Sequence, residues 1–231
     1  MSSSPRVLMV VTSNSRLADT DRPTGLWVEE LAAPYQVFRK EGFAVDIASP
    51  KGGRPPFDEF SLGAEYVTPA VRSFLDDPDS SARLDRVERL QDVVDRTYDG
   101  VFVVGGFGVM WDLVGDPHLL AVLSRTADAD LPLAAVCHAP AVLADVRLGD
   151  GTPLLRNKTV TGFSDDEEQA VDLGVHYERT VEQALRASGA TYSKNDSVFT
   201  PHVARDGRLH TGQNPASSEA LALQFAQDVR S

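Results

Sequence analysis

The sequence predicts an α/β fold with a largely parallel sheet covered by helices on both faces. Three observations predict it. Apolar runs of strand length alternate with stretches whose apolar residues recur at helical spacing. The run Leu133-Ala134-Ala135-Val136 leads through Cys137 into an Ala-rich segment, which reads as a strand, a sharp turn and a helix. A second apolar run ends in Gly105-Gly106-Phe107-Gly108, a glycine-rich strand end of the kind that faces the ligand crevice of a doubly wound sheet. With 231 residues and 42% hydrophobic content, 1–231 reads as one domain with a full core.

Residues 7–12 form the first buried strand, and 25–41 read as a helix with an apolar stripe of Val28, Leu31, Tyr35 and Phe38. Gly42 closes that helix, 43–48 is the second strand, and the Pro and Gly of 49–56 make a loop. Leu84, Val87, Leu90 and Val94 recur at helical spacing and predict a helix within 76–96, leading to the strand 100–104. Then come a helix over 118–127, the strand 131–136 before Cys137, and an extended piece over 160–163. The last part alternates a helix over 180–188, short strands at 191–192 and 202–203, a turn at 205–208 and a helix over 217–229.

Composition excludes several classes. A formal net charge of -12 argues against nucleic acid or an anionic membrane surface as partner. The first six residues lack the apolar core of a signal peptide, and no run approaches the roughly 18 apolar residues of a membrane span. One cysteine allows neither an internal disulfide nor a multi-cysteine metal site, so the expected setting is a reducing cytoplasm.

A lone cysteine is ordinarily a small core residue. Here His138 follows it, Ala135 and Ala139 give the small flanks a strained turn needs, and the glycine-rich strand end reaches the same crevice. The helix after the turn is expected to hold the Cys137 thiol below its free acidity range. Glu30, with Trp27 three residues before and Pro34 four after, is expected to lean into the core, gain a raised pKa and donate to the thiolate. His138 is placed to act as a base if a third group orients its ring. Acids for that task lie in Ser164-Asp165-Asp166-Glu167-Glu168, most of which serve only to start a helix.

These residues carry a family resemblance. The turn Ala135-Val136-Cys137-His138-Ala139-Pro140, the strand end Gly105 to Gly108 followed by Met110-Trp111-Asp112-Leu113, and Glu29-Glu30-Leu31-Ala32-Ala33-Pro34-Tyr35 after Thr24-Gly25 are three of its segments. Ser49-Pro50-Lys51-Gly52-Gly53, Thr161-Gly162-Phe163-Ser164 and the run from Thr211 to Ser218 complete it. In this order they resemble the DJ-1/PfpI superfamily and, within it, the Hsp31-like class. The resemblance implies a flavodoxin-like sandwich of the class I glutamine amidotransferase-like type, a homodimer, and a Cys-His-Glu or Cys-His-Asp triad. It implies glutathione-independent glyoxalase activity, also called D-lactate dehydratase, together with protein deglycase and chaperone roles. By position, Cys137 matches the nucleophile, His138 the adjacent histidine and Glu30 the glutamate at the thiol. Glu168 matches the orienting acid, with Glu167 and Asp166 as rivals. Gly105, Gly106 and Phe107 match the oxyanion-binding segment, completed by the backbone N–H of His138. Two positions depart from the pattern, where Phe107 and Ala33 stand in place of histidines.

The implied substrate is a small 2-oxoaldehyde such as methylglyoxal, with the thiol supplying the covalent step and no metal or organic cofactor required. Three rival readings belong to other classes. A glutamine amidotransferase would need a distant His-x-Glu, which neither His202-Val203-Ala204 nor His210-Thr211-Gly212 provides. A peptidase or amidase would use the same triad, and a non-enzymatic chaperone or redox sensor would use apolar surface or oxidation of Cys137.

Overall fold

The computed structural model describes residues 4–18, 20–172 and 178–231. Strand β1 (Arg6–Val10) lies at the centre, parallel to β2 (Ala44–Ser49) on one side and to β4 (Gly100–Val103) on the other, with β3 (Glu88–Arg89) beyond β2. Beyond β4 come β5 (Leu133–Val136), β9 (Leu209–Gly212) and β8 (Val203–Asp206), giving the order β3-β2-β1-β4-β5-β9-β8 with only β8 antiparallel. Beyond Arg6, which opens β1 at the surface, the strands β1, β4 and β5 read as apolar runs because helices cover both faces of the sheet.

Helix α1 (Val28–Lys40) packs with α10 (Ser218–Val229) on one face, where the rings of Phe38, Phe102 and Phe225 meet at centroid distances of 5.4 to 5.9 Å. Four short helices follow along the chain: α2 (Pro69–Asp76), α3 (Pro78–Leu84), α4 (Leu90–Val93) and α5 (Val109–Asp112). Helix α6 (Pro117–Asp128) lies against β4 and β5, started by Asp116, whose side chain accepts from the N–H groups of His118 and Leu119. After β5 come α7 (Pro140–Leu143), the strand β6 (Thr159–Val160), α8 (Asp165–Val171), α9 (Val181–Ala187) and β7 (Thr191–Tyr192), which pairs with β6. Buried side chains from both faces form one continuous core. Among the described residues no helix is long and apolar enough to cross a membrane.

Four expectations need correction. The helix expected over 25–41 begins at Val28, because Leu26 bridges to Phe57 and a Cβ on Gly25 would meet the Pro56 carbonyl oxygen at 2.1 Å. The helix expected within 76–96 is instead α3, the edge strand β3 and α4. Asp77 ends α2 and caps α3, with Pro78 at its first position, so no helix runs through. The extended piece over 160–163 is a ladder strand only at Thr159–Val160. The turn at 205–208 belongs to a hairpin whose second arm, β9, is absent from the sequence reading and yet pairs with β5.

Candidate active site

The site forms where β5 and β4 end. Cys137 follows β5 with a φ of 62°, in the left-handed region that side-chain-bearing residues rarely enter. Two backbone hydrogen bonds hold it there: Cys137 N–H donates to the Gly212 carbonyl (2.9 Å), and Phe163 N–H donates to the Cys137 carbonyl (2.8 Å). The strand missed in the sequence therefore anchors the reactive turn. At the end of β4, a Cβ on Gly105 would sit 2.3 Å from Glu30 Oε2 and 2.9 Å from Cys137 Cβ, and Gly106 has a φ of 107°. Only glycine lets this backbone approach the thiol. Of the expected oxyanion donors, Gly105 turns its N–H to Glu30 and Gly106 turns its own to the Cys137 sulfur.

Glu30 enters from the first turn of α1 and is fully buried. Burial pushes its carboxyl well above the usual carboxylate range, and the Cys137 thiol and the Gly105 N–H offset only part of this. Neither oxygen reaches a partner in good hydrogen-bond geometry. Its neighbour Glu29 faces away and accepts from Thr68 Oγ1 at 2.5 Å.

The low thiol pKa expected from the sequence meets an environment that pushes the other way. Helix α7 has four residues, too short for a developed dipole, and Cys137 is 3% exposed. Burial, and then the charge of Glu30, push the thiol well above its ordinary value, against a smaller opposing effect of the Gly106 N–H. These effects make the thiol depend on a neighbouring base to lose its proton.

The base is in reach. Cys137 Sγ lies 3.2 Å from His138 Nδ1, and His138 Nε2 lies 2.9 Å from Glu168 Oε1. Of the three rival acids, Glu168 is the one bonded to His138; Asp166 pairs with Lys194, and Glu167 turns inward. The imidazole is flanked by the rings of Phe107 and Phe163 at 4.7 and 4.6 Å. Phe107 is thus a wall that fixes the His138 ring. Ala33 is buried in α1 and brings no polar group.

Sequence reasoning missed Phe163 as a flanking ring, and also Asn214 and Phe199, which bond to Glu167 from distant segments. Asn214-Pro215 was visible as a motif without a role. Nothing local marks Phe199, whose φ is 58°. A cavity of about 580 Å³ beside Met110, Trp111 and Ala141 does not include the thiol, so volume alone would miss the chemistry. Among the described residues no three His, Cys, Asp or Glu side chains converge as a metal site.

Residues 27–228 match the DJ-1/PfpI family model. The glutathione-independent glyoxalase HSP31 of Saccharomyces cerevisiae is 32% identical over 229 residues, covering 95% of this chain and 95% of its own. Glyoxalase 3 of Candida albicans is 29% identical over 234 residues, covering 97% and 96%. The solved structure of the Francisella tularensis Rapid Encystment Protein 24 KDa superposes with a TM-score of 0.91 at 32% identity, covering 97% of this chain and 99% of that one. The sheet and its helical layers form the flavodoxin-like sandwich that the family resemblance implies. Because the family match runs from the foot of α1 to the last turn of α10, with a solved sheet of the same shape behind it, the chain belongs to the DJ-1/PfpI family.

Proposed function

We propose that this chain is a glutathione-independent glyoxalase that converts methylglyoxal-type 2-oxoaldehydes into 2-hydroxy acids, D-lactate from methylglyoxal, through covalent catalysis on Cys137. One observation carries the reading: the relay from Cys137 Sγ to His138 Nδ1 and from His138 Nε2 to Glu168, with the buried acid Glu30 on the other side of the sulfur. The names of the yeast relatives support it.

In this mechanism His138 takes the thiol proton as sulfur adds to the aldehyde carbon, and Glu168 steadies the imidazolium. The new alkoxide is held by backbone N–H groups, Gly106 foremost. The imidazolium returns its proton to the alkoxide, and the freed His138 then takes the proton from C1 and delivers it to C2 through an enediol, which leaves a thioester of the 2-hydroxy acid. Water cleaves the thioester and restores the thiol, so one methylglyoxal and one water give one lactic acid.

A thiol in a residue only 3% exposed, beside an imidazole flanked by aromatic rings, favours a small aldehyde over a peptide. The reading extends to a single domain over 1–231, as its length and composition suggest, to the cytoplasm, as its single cysteine suggests, and to a homodimer, as the family resemblance implies. The test is an assay of purified protein with methylglyoxal, without glutathione and with a metal chelator present. D-lactate is the expected product, and Cys137→Ala is expected to yield none, since the chain has no second thiol. Cys137-dependent cleavage of a peptide or amide with no lactate would replace the glyoxalase reading with the amidase. Aggregation suppressed equally by wild type and Cys137→Ala, again without lactate, would replace it with the chaperone.

A further inference from the structure

Glu167 sits beside the acid of the relay and turns toward a different set of partners. Its side chain is fully buried in the first turn of α8, and no cation pairs with it among the described residues. Instead it accepts four hydrogen bonds. Ser164 N–H and Oγ–H donate to Oε2, each at 3.0 Å, while Phe199 N–H and Asn214 Nδ2–H donate to Oε1, each at 2.8 Å. Every partner is a donor, so both oxygens act only as acceptors.

The four donors come from three separate places: the cap of α8, the segment around Phe199, and the segment before α10. Asn214 is itself fixed, donating to the Thr200 carbonyl (2.8 Å) and accepting from Ser217 Oγ (3.0 Å). Phe199 is held in its left-handed conformation with its N–H on Glu167, and its ring stands 6.4 Å from Phe163, which flanks His138. Consecutive helical residues point about 100° apart. A first turn pinned through Glu167 therefore sets where Glu168 points, and Glu168 is the residue on His138 Nε2.

We propose that Glu167 is a positioning residue for the thiol relay. It locks the first turn of α8 to the segments of Phe199 and Asn214 so that Glu168 stays on His138. This inference rests on the relay described under the proposed function. It does not require that the substrate be a 2-oxoaldehyde.

The single cysteine allows a readout free of any substrate: the rate at which iodoacetamide alkylates Cys137 across pH. Glu167→Gln puts an amide N–H₂ in place of one oxygen, where two donors already point, and Glu168→Ala removes the acid itself. Each is expected to change the alkylation rate, and kcat for methylglyoxal, by about tenfold with little change in KM. In the double variant the two factors are expected not to multiply, because Glu167 acts through Glu168. A purely architectural Glu167 would give factors that multiply, or a Glu167→Gln enzyme with wild-type rates, and either result overturns the proposal. Should Glu167→Gln fail to fold, Asn214→Ala removes one donor and enters the same cycle, with the same two outcomes. Non-multiplying alkylation factors with no lactate formed would break the glyoxalase reading and leave this inference standing. Lactate formation with multiplying factors would do the reverse.

Discussion

Two fully buried carboxyl groups bear on Cys137, and they are treated in opposite ways. Glu30, from α1, has no hydrogen bond of good geometry on either oxygen, and burial drives its pKa well up. Glu167, from α8, has a donor on every side. Burial is common to both, so the number of donors decides what each group can do. Burial with few donors favours the protonated form of Glu30, and a proton held there can be handed on. A carboxyl ringed by donors is held in place and can hold others.

The sharpest way to break this contrast is through the residues each side serves. His138→Ala is expected to lower turnover by roughly 10²-fold or more, because a general base contributes that much, while Glu168→Ala costs less since it acts through the imidazole. Steady-state kinetics beside thermal melts measures both. Full activity in the two variants would dissolve the relay.

A smaller effect compares the carboxyl groups directly. Glu167→Gln leaves donors facing a donor and should cost about 1–3 kcal/mol of stability, whereas Glu30→Gln removes no well-made hydrogen bond and should cost less. The pH dependence also separates them. Glu30 ionises near 4.5 when exposed and well above that when folded, so the folded state binds more protons between those values. Wild-type stability should fall as pH rises through that window, and Glu30→Gln should lose that component of the slope. Urea unfolding at several pH values checks this, and an unchanged slope in Glu30→Gln would show that Glu30 ionises normally.

How much of this was legible in the sequence follows the range of the interactions. The central strands and the turn at Cys137 were readable because continuous apolar runs and small flanks are local signals. The region 76–96 was misread because Leu84 and Leu90 become buried in two short helices about as well as in one long one, and Pro78 with Asp77 decides between them. Strand β9 escaped because Leu209-His210-Thr211-Gly212 has little strand character of its own. It exists because β5 needs a neighbour, and its buried His210 reaches Asp228 through Nε2 at 2.9 Å. In the site, Cys137, His138 and Glu30 were found from their immediate neighbours. The choice among Asp166, Glu167 and Glu168 depends on the rotation of α8 against His138, which Asn214 and Phe199 help to fix from far along the chain. The thiol's acidity is not legible locally, because it balances a four-residue helix against burial and Glu30, and the latter come from the tertiary packing.

The central claim is that the chemistry passes through a covalent bond to Cys137. The direct measurement is the intact-protein mass of Glu168→Ala, mixed briefly with methylglyoxal and quenched in acid, with the adduct located by peptide mapping. We expect one adduct on Cys137 that forms and decays as lactate appears, and neither adduct nor lactate in the same interval with Cys137→Ala in the same background. Lactate formed at an equal rate without any Cys137 adduct, and persisting when the cysteine is gone, would contradict the account.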